Sequence, residues 1–186
     1  NCFELEQWIA LRRAAAQSKE VDCVEVGAGS GLFGVELAAR YPDILFAAVD
    51  VKADRLQKGA YEALERGLDN IVFIRARADQ LDQLFAPHSL QTIWLTFPDP
   101  FPRPRSARRR LTHPIYLRDY AQLIVDGSAP GKPVGESGVY LKHDNAAFFC
   151  WSLEQLVSEG WHINQLSFDL HDSALSDDYK ILTTYE

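Results

Sequence analysis

Short β-branched runs alternating with amphipathic helical segments predict an α/β fold: a doubly wound, mostly parallel seven-stranded sheet with an antiparallel edge hairpin. Three observations carry this prediction. Apolar runs of four to seven residues recur along the 186 residues with helical spacing between them. A glycine-rich turn, Gly27-Ala28-Gly29-Ser30-Gly31, joins the first run to a helix, and the last two runs have no helix between them.

Each element follows in order. Leu5, Trp8, Ile9, Leu11 and Arg12 have the spacing of an amphipathic leading helix. Val21–Val26 reads as the first strand, and Leu32–Tyr41 as a helix stopped by Pro42. Ile44–Val49 is the second strand, closed by Asp50; residues 52–66 are helical and end at Gly67, a carboxyl-terminal cap. Ile71–Ile74, a short helix at 79–85 and Thr92–Thr96 follow, then a helix over Pro114–Val125. Glycines and prolines between 127 and 135 predict a loop. Gly138–Lys142 is the fifth strand, Ala146–Ser158 a helix ending at Gly160, and 162–168 with Ile181–Tyr185 the closing hairpin.

A chain 47% apolar can bury one good core, so one domain spanning residues 1–186 is expected. No apolar stretch has membrane-crossing length and no secretory signal stands out, although a chain beginning at Asn1 without methionine leaves room for a preceding segment. Cys2, Cys23 and Cys150 are odd in number and lack metal-ligand spacing, and the histidines are scattered, so no metal is expected. A cytoplasmic protein, monomer or homodimer, fits these features.

The net charge of −7 argues against a polyanionic partner until its distribution is read. Arg103, Arg105, Arg108, Arg109 and Arg110 fall within eight residues of an otherwise acidic chain. Just upstream, the apolar run Thr92–Thr96 meets Phe97-Pro98-Asp99-Pro100-Phe101. The prolines end the strand abruptly, which holds Asp99 at the carboxyl edge of the sheet, where open α/β sheets bind ligands. Guanidinium forks grip phosphate oxygens in pairs, so the arginines suit a nucleic-acid backbone; a solvated charged surface is the alternative.

The glycine turn carries a second signal. Glycine serves where backbone needs positive φ or where a ligand presses on the main chain. Asp50, at the end of the next strand, can accept both hydroxyls of an adenosine ribose. A dinucleotide would want G-x-G-x-x-G, and here the third glycine comes one residue early, behind acidic Glu25. Glu25 suits the ammonium of S-adenosylmethionine better than a pyrophosphate; a bare structural turn is the remaining reading.

With these residues in place, the chain resembles the tRNA (guanine-N7)-methyltransferase family of Rossmann-like class I S-adenosylmethionine-dependent enzymes. The family signature F-P-D-P-W-x-K-x-R-H-x-K-R-R aligns without gaps on Phe97–Arg110. Its glycine loop falls on Glu25–Gly31, its ribose ligand on Asp50, its Thr-Asp pair on His143-Asp144 and its T-x-[FY]-E ending on Thr183–Glu186. Several departures stand out: Phe101 replaces tryptophan, Arg103 and Arg108 replace lysines, Ser106 replaces histidine, and Arg77 replaces the aspartate expected to meet the adenine amino group. Arginine offers no acceptor, which leaves Asp79 as its substitute beside Ala78.

The resemblance implies S-adenosylmethionine as cofactor, held by Glu25, Gly27, Gly29, Gly31, Asp50 and the 77–79 turn, and tRNA as partner. Guanine N7 has a lone pair and no proton, so methyl transfer needs alignment and electrostatic support rather than a general base. Asp99 would accept hydrogen bonds from the N1–H and N2–H2 edge of guanine, with Asp144 and Glu186 completing an acidic wall and Thr183 adding a hydroxyl. Phe101 would stack on an unstacked base, while Arg103, Arg105, Arg108, Arg109 and Arg110 hold phosphates on a stretch expected to order on RNA. Asp144 also suits the cap of the next helix, and His143 reads as a surface residue at a strand end. A diverged substrate, a silent RNA-binding relative and a nicotinamide-dependent oxidoreductase are the competing functions.

Overall fold

In the computed structural model, residues 2–14, 20–125 and 136–183 are described. Six strands form one sheet: β1 (Cys2–Glu4), β2 (Cys23–Val26), β3 (Phe46–Asp50), β4 (Ile71–Arg75), β5 (Thr92–Thr96) and β6 (Gly138–Lys142). Their order is β1-β4-β3-β2-β5-β6, and every pairing is parallel. Helices α1 (Leu5–Ala14), α2 (Leu32–Arg40), α3 (Ala53–Glu65), α4 (Leu81–Leu84) and α5 (Pro114–Leu123) connect them, and α6 (Ala146–Ser158) follows β6.

Strand periodicity divides the core into two layers, because successive side chains point to opposite faces. Val24, Val26, Ala47, Val49, Val72, Ile74, Ile93 and Leu95 face Trp8, Leu81, Leu84, Leu117 and Tyr120 of α1, α4 and α5. Cys23, Phe46, Ala48, Ile71, Phe73 and Trp94 face Phe33, Val35, Leu37, Leu56 and Ala63 of α2 and α3. The sheet is therefore covered on both sides, as a doubly wound fold requires.

The chain leaves β2 for β3 on one side and returns to β5 on the other. This reversal creates a crevice between the loops after β2 and β5 at the carboxyl edge, the place where such sheets bind ligands. The glycine turn and the 97–110 segment are those two loops.

Two sequence expectations need correction. Cys2–Glu4, not expected as a strand, adds to the outside of β4 with Phe3 opposite Ile74. The expected seven strands with an antiparallel hairpin are six parallel strands among the described residues. Residues 162–168 form no strand among the described residues, and Ile163, Leu166 and Phe168 stay 40%, 48% and 72% exposed. Phe168 instead packs edge-on against Phe149 of α6, at 5.6 Å between ring centres. Ile181–Thr183 is irregular; the loop expected at 127–135 and residues 184–186, including Glu186, lie outside the described residues.

Candidate active site

The glycine turn is built from left-handed backbone: Gly27, Gly29 and Gly31 have φ of 72°, 57° and 70°, conformations that disfavour a Cβ. The amides of Gly27 and Ala28 donate to the Val49 carbonyl at 2.9 and 3.1 Å, binding the turn to the end of β3. The Asp50 carboxylate accepts from the Gly29 amide with Oδ2 and from the Lys52 amide with Oδ1, both at 2.9 Å. Each oxygen keeps a further lone pair, so Asp50 is oriented beside the turn with capacity to accept ribose hydroxyls.

Glu25 is 4% exposed and turns beneath the loop. Oε2 accepts from the Gly34 amide in the first turn of α2 at 3.2 Å, and Oε1 accepts from the Thr96 hydroxyl of β5. Burial pushes its carboxyl up to about 7, partly opposed by the Thr96 and Gly34 hydrogen bonds. Its visible work is to satisfy the amino end of α2 and link β2 to β5.

Arg77 precedes the short 3-10 helix Ala78–Gln80, and its amide donates to Gln80 Oε1 at 2.9 Å. The guanidinium binds Asp79 through two bonds of 2.9 and 2.6 Å. Both side chains are exposed, so the pair contributes little stability but commits the Asp79 carboxylate to Arg77.

The loop after β5 is strained and braced. Phe97 and Phe101, on either side of Asp99, have φ of 49° and 38°, a region bulky residues rarely enter. The Phe97 amide donates to the Lys142 carbonyl of β6 at 2.8 Å. Lys142, buried, sends Nζ to the Ile181 carbonyl at 2.8 Å and lies 5.6 Å from the Phe97 ring centre. His143 is no surface residue: its side chain is 4% exposed. Its Nδ1 accepts from the Asn145 amide at 2.8 Å, which leaves Nε2–H to donate to the Pro98 carbonyl at 2.9 Å.

Beyond this loop, Pro104–Arg109 forms a 3-10 helix, so the stretch expected to order on RNA has regular structure in the chain by itself. Arg103, Arg105, Arg108 and Arg109 are exposed; Arg109 stacks on Phe101 at 4.3 Å. Arg110 faces inward: it donates to the Pro100 and Phe101 carbonyls at 3.0 and 3.2 Å and covers Trp151 at 4.2 Å. Leu111 then packs on the glycine turn so closely that a Cβ on Gly27 would lie 2.9 Å from its Cδ1. The basic segment is thus anchored directly over the turn.

Asp99 and Asp144 are both exposed at the same sheet edge, since Thr96 and Lys142 pair across β5 and β6. Asp144 does not cap α6; Asn145 does, accepting from the Phe148 amide at 2.9 Å. Ile181, two residues before Thr183, is held by the Lys142 ammonium.

Sequence reasoning missed the bracing residues Thr96, Lys142 and Gly59. A Cβ on Gly59 of α3 would sit 2.1 Å from the Ser30 carbonyl oxygen, so α3 presses directly on the glycine turn. A glycine inside a helical pattern was the available signal.

Comparison with known proteins identifies the family. A family model described as "Putative methyltransferase" matches residues 19–186. A tRNA (guanine-N(7)-)-methyltransferase of Brevibacillus brevis is 36% identical over 163 residues, covering 88% of this chain and 72% of that protein. One of Cytophaga hutchinsonii is 37% identical over 166 residues, covering 88% and 71%. The solved structure of TrmN from Thermus thermophilus shares the fold, with a TM-score of 0.54 at 24% identity over 80% of this chain and 40% of that one. A Rossmann-like methyltransferase sheet, a glycine turn backed by Asp50 and a gapless 97–110 signature therefore sit in one chain, and that chain belongs to the tRNA (guanine-N(7)-)-methyltransferase family.

Proposed function

We propose that this protein transfers the methyl group of S-adenosylmethionine to N7 of a guanine in tRNA, in the cytoplasm. The observation that carries the reading is the packing of Leu111 on Gly27, which joins a cofactor-type turn to a segment bearing four exposed arginines. S-adenosylmethionine fits the residues present: positive-φ glycines leave main chain approachable, and Asp50 is oriented by two amides with acceptor capacity to spare. Bound there, it supplies an electrophilic methyl group. Gly27, Gly29 and Gly31 would border it, Asp50 would hold the ribose, and the Ala78 turn would lie by the adenine. Glu25 supports this pocket from below by anchoring α2.

Asp99 would accept from the N1–H and N2–H2 edge of guanine, turning N7 inward and favouring the positive charge that the base acquires. Asp144 and Thr183 would extend that contact, and Glu186 is proposed with them from the signature alone. Phe101 would offer the ring face opposite Arg109 to a base. Arg103, Arg105, Arg108 and Arg109 would take phosphates.

A diverged or silent relative is the second reading, favoured by the closed Arg77–Asp79 pair where an adenine acceptor is expected. Transfer of labelled methyl to bulk tRNA, followed by nucleoside analysis, decides between them. Label in 7-methylguanosine is the expected result. Label in another nucleoside assigns a different substrate, and no label with intact cofactor binding assigns a silent relative.

A further inference from the structure

Asp99 stands on a loop with three of its carbonyls held by side chains. His143 Nε2–H holds the Pro98 carbonyl at 2.9 Å, and the Arg110 guanidinium holds those of Pro100 and Phe101 at 3.0 and 3.2 Å. Both clamping side chains are themselves packed. The His143 ring lies 4.5 Å from Phe148 and 6.0 Å from Phe97, while Arg110 covers Trp151 of the same helix, α6.

Such bracing has a physical purpose. Residues at positive φ persist only where surroundings over-determine them, and Phe97 and Phe101 flank Asp99 in that state. Free of its clamps, the loop would relax and carry Asp99 with it. Arginine is suited to this task because its planar fork reaches two carbonyls at once.

We infer that Arg110 and His143 are positioning residues that lock the Asp99 loop onto α6, and that Arg110 is no phosphate ligand. The inference rests on the methyl-transfer reading above and gives two members of the 97–144 region a task separate from RNA binding.

The test compares Arg110→Lys, Arg110→Ala, His143→Ala and His143→Gln with Arg105→Ala in the full chain. Arg110→Lys keeps the charge but loses the fork, and His143→Gln keeps a donor near Nε2. Arg110→Lys and His143→Ala should lower kcat by about 10- to 100-fold, the scale of an ångström-sized misplacement. Cofactor affinity and the salt dependence of KM for tRNA should stay unchanged, and His143→Gln should recover part of the loss. Arg105→Ala should instead flatten the salt dependence. Unchanged kcat in both clamp variants, or a flattened slope in Arg110→Ala matching Arg105→Ala, overturns the inference.

Amide hydrogen exchange at Phe97, whose N–H is bonded to Lys142, reads the clamp without activity. It should accelerate in His143→Ala and Arg110→Lys, and unchanged exchange overturns the inference even where kcat falls. If the wild-type chain methylates no tRNA, the functional reading fails on its own and this exchange measurement still decides the clamp.

Discussion

Beneath the glycine turn, the Thr96 hydroxyl donates to the Glu25 carboxylate and ties β5 to β2 at the crevice between them. With the Gly34 amide on the other oxygen, the carboxyl is fully engaged yet almost wholly removed from water. Desolvation raises it from 4.5 to about 7. A carboxyl raised on folding binds its proton more tightly in the folded state. Its contribution is fully present below the unfolded value and is lost as pH rises through the folded one. Stability should therefore fall between pH 4.5 and about 7, by about 3 kcal/mol at most. Glu25→Gln should remove that decline; unfolding temperatures measured from pH 5 to 8 that run parallel in the two proteins would refute the assignment.

Thr96→Val deletes the donor and leaves a buried carboxylate oxygen without it. An unsatisfied buried acceptor costs about 1–3 kcal/mol, measurable by denaturant unfolding at pH 8, where the carboxylate is ionised. A smaller loss at pH 5 than at pH 8 is expected, because a protonated carboxyl needs the donor less.

Gly59→Ala places a methyl group 2.1 Å from the Ser30 oxygen and 2.7 Å from Phe73 Cε1. Backbone and an aromatic ring yield poorly, so overpacking should cost about 1–3 kcal/mol. Because Ser30 belongs to the turn, affinity for S-adenosylmethionine should fall as well. Calorimetry showing wild-type affinity would separate α3 from the cofactor pocket.

Asp99→Asn keeps the shape of the side chain and removes its charge. Turnover on tRNA should drop by about 100-fold or more, the scale seen when a group stabilising developing charge is removed. Cofactor affinity should hold. Near-normal kcat would remove Asp99 from the chemistry.

Arg105→Ala and Arg108→Ala should each lower the slope of log affinity for tRNA against log salt, by roughly 0.7–0.9 for each phosphate no longer neutralised. Filter binding across a salt series checks this. An unmoved slope would return these side chains to surface solvation.

Much of this architecture is legible without coordinates. Strand alternation at 23–26, 46–50, 71–75 and 92–96 separates two buried faces residue by residue, and glycine spacing marks the turn because only backbone without Cβ enters those angles easily. The proline-fenced Asp99 likewise announces a strand end. The closing hairpin is different: residues 162–168 have the alternation of a strand but pair with no strand among the described residues, and pairing is not a local property.

What sequence alone determined is the class of sheet, the turn at its carboxyl edge and the family signature at 97–110, all set by local periodicity and residue type. Tertiary structure alone decided which polar side chains face inward. Arg110 is one of five arginines that look equivalent in the sequence, and His143 looks like any strand-end histidine. Packing α6 against the 97–101 loop makes one a two-carbonyl clamp and the other a buried donor. Charge and spacing are properties of the chain, whereas the carbonyl that a donor meets depends on distant segments brought together.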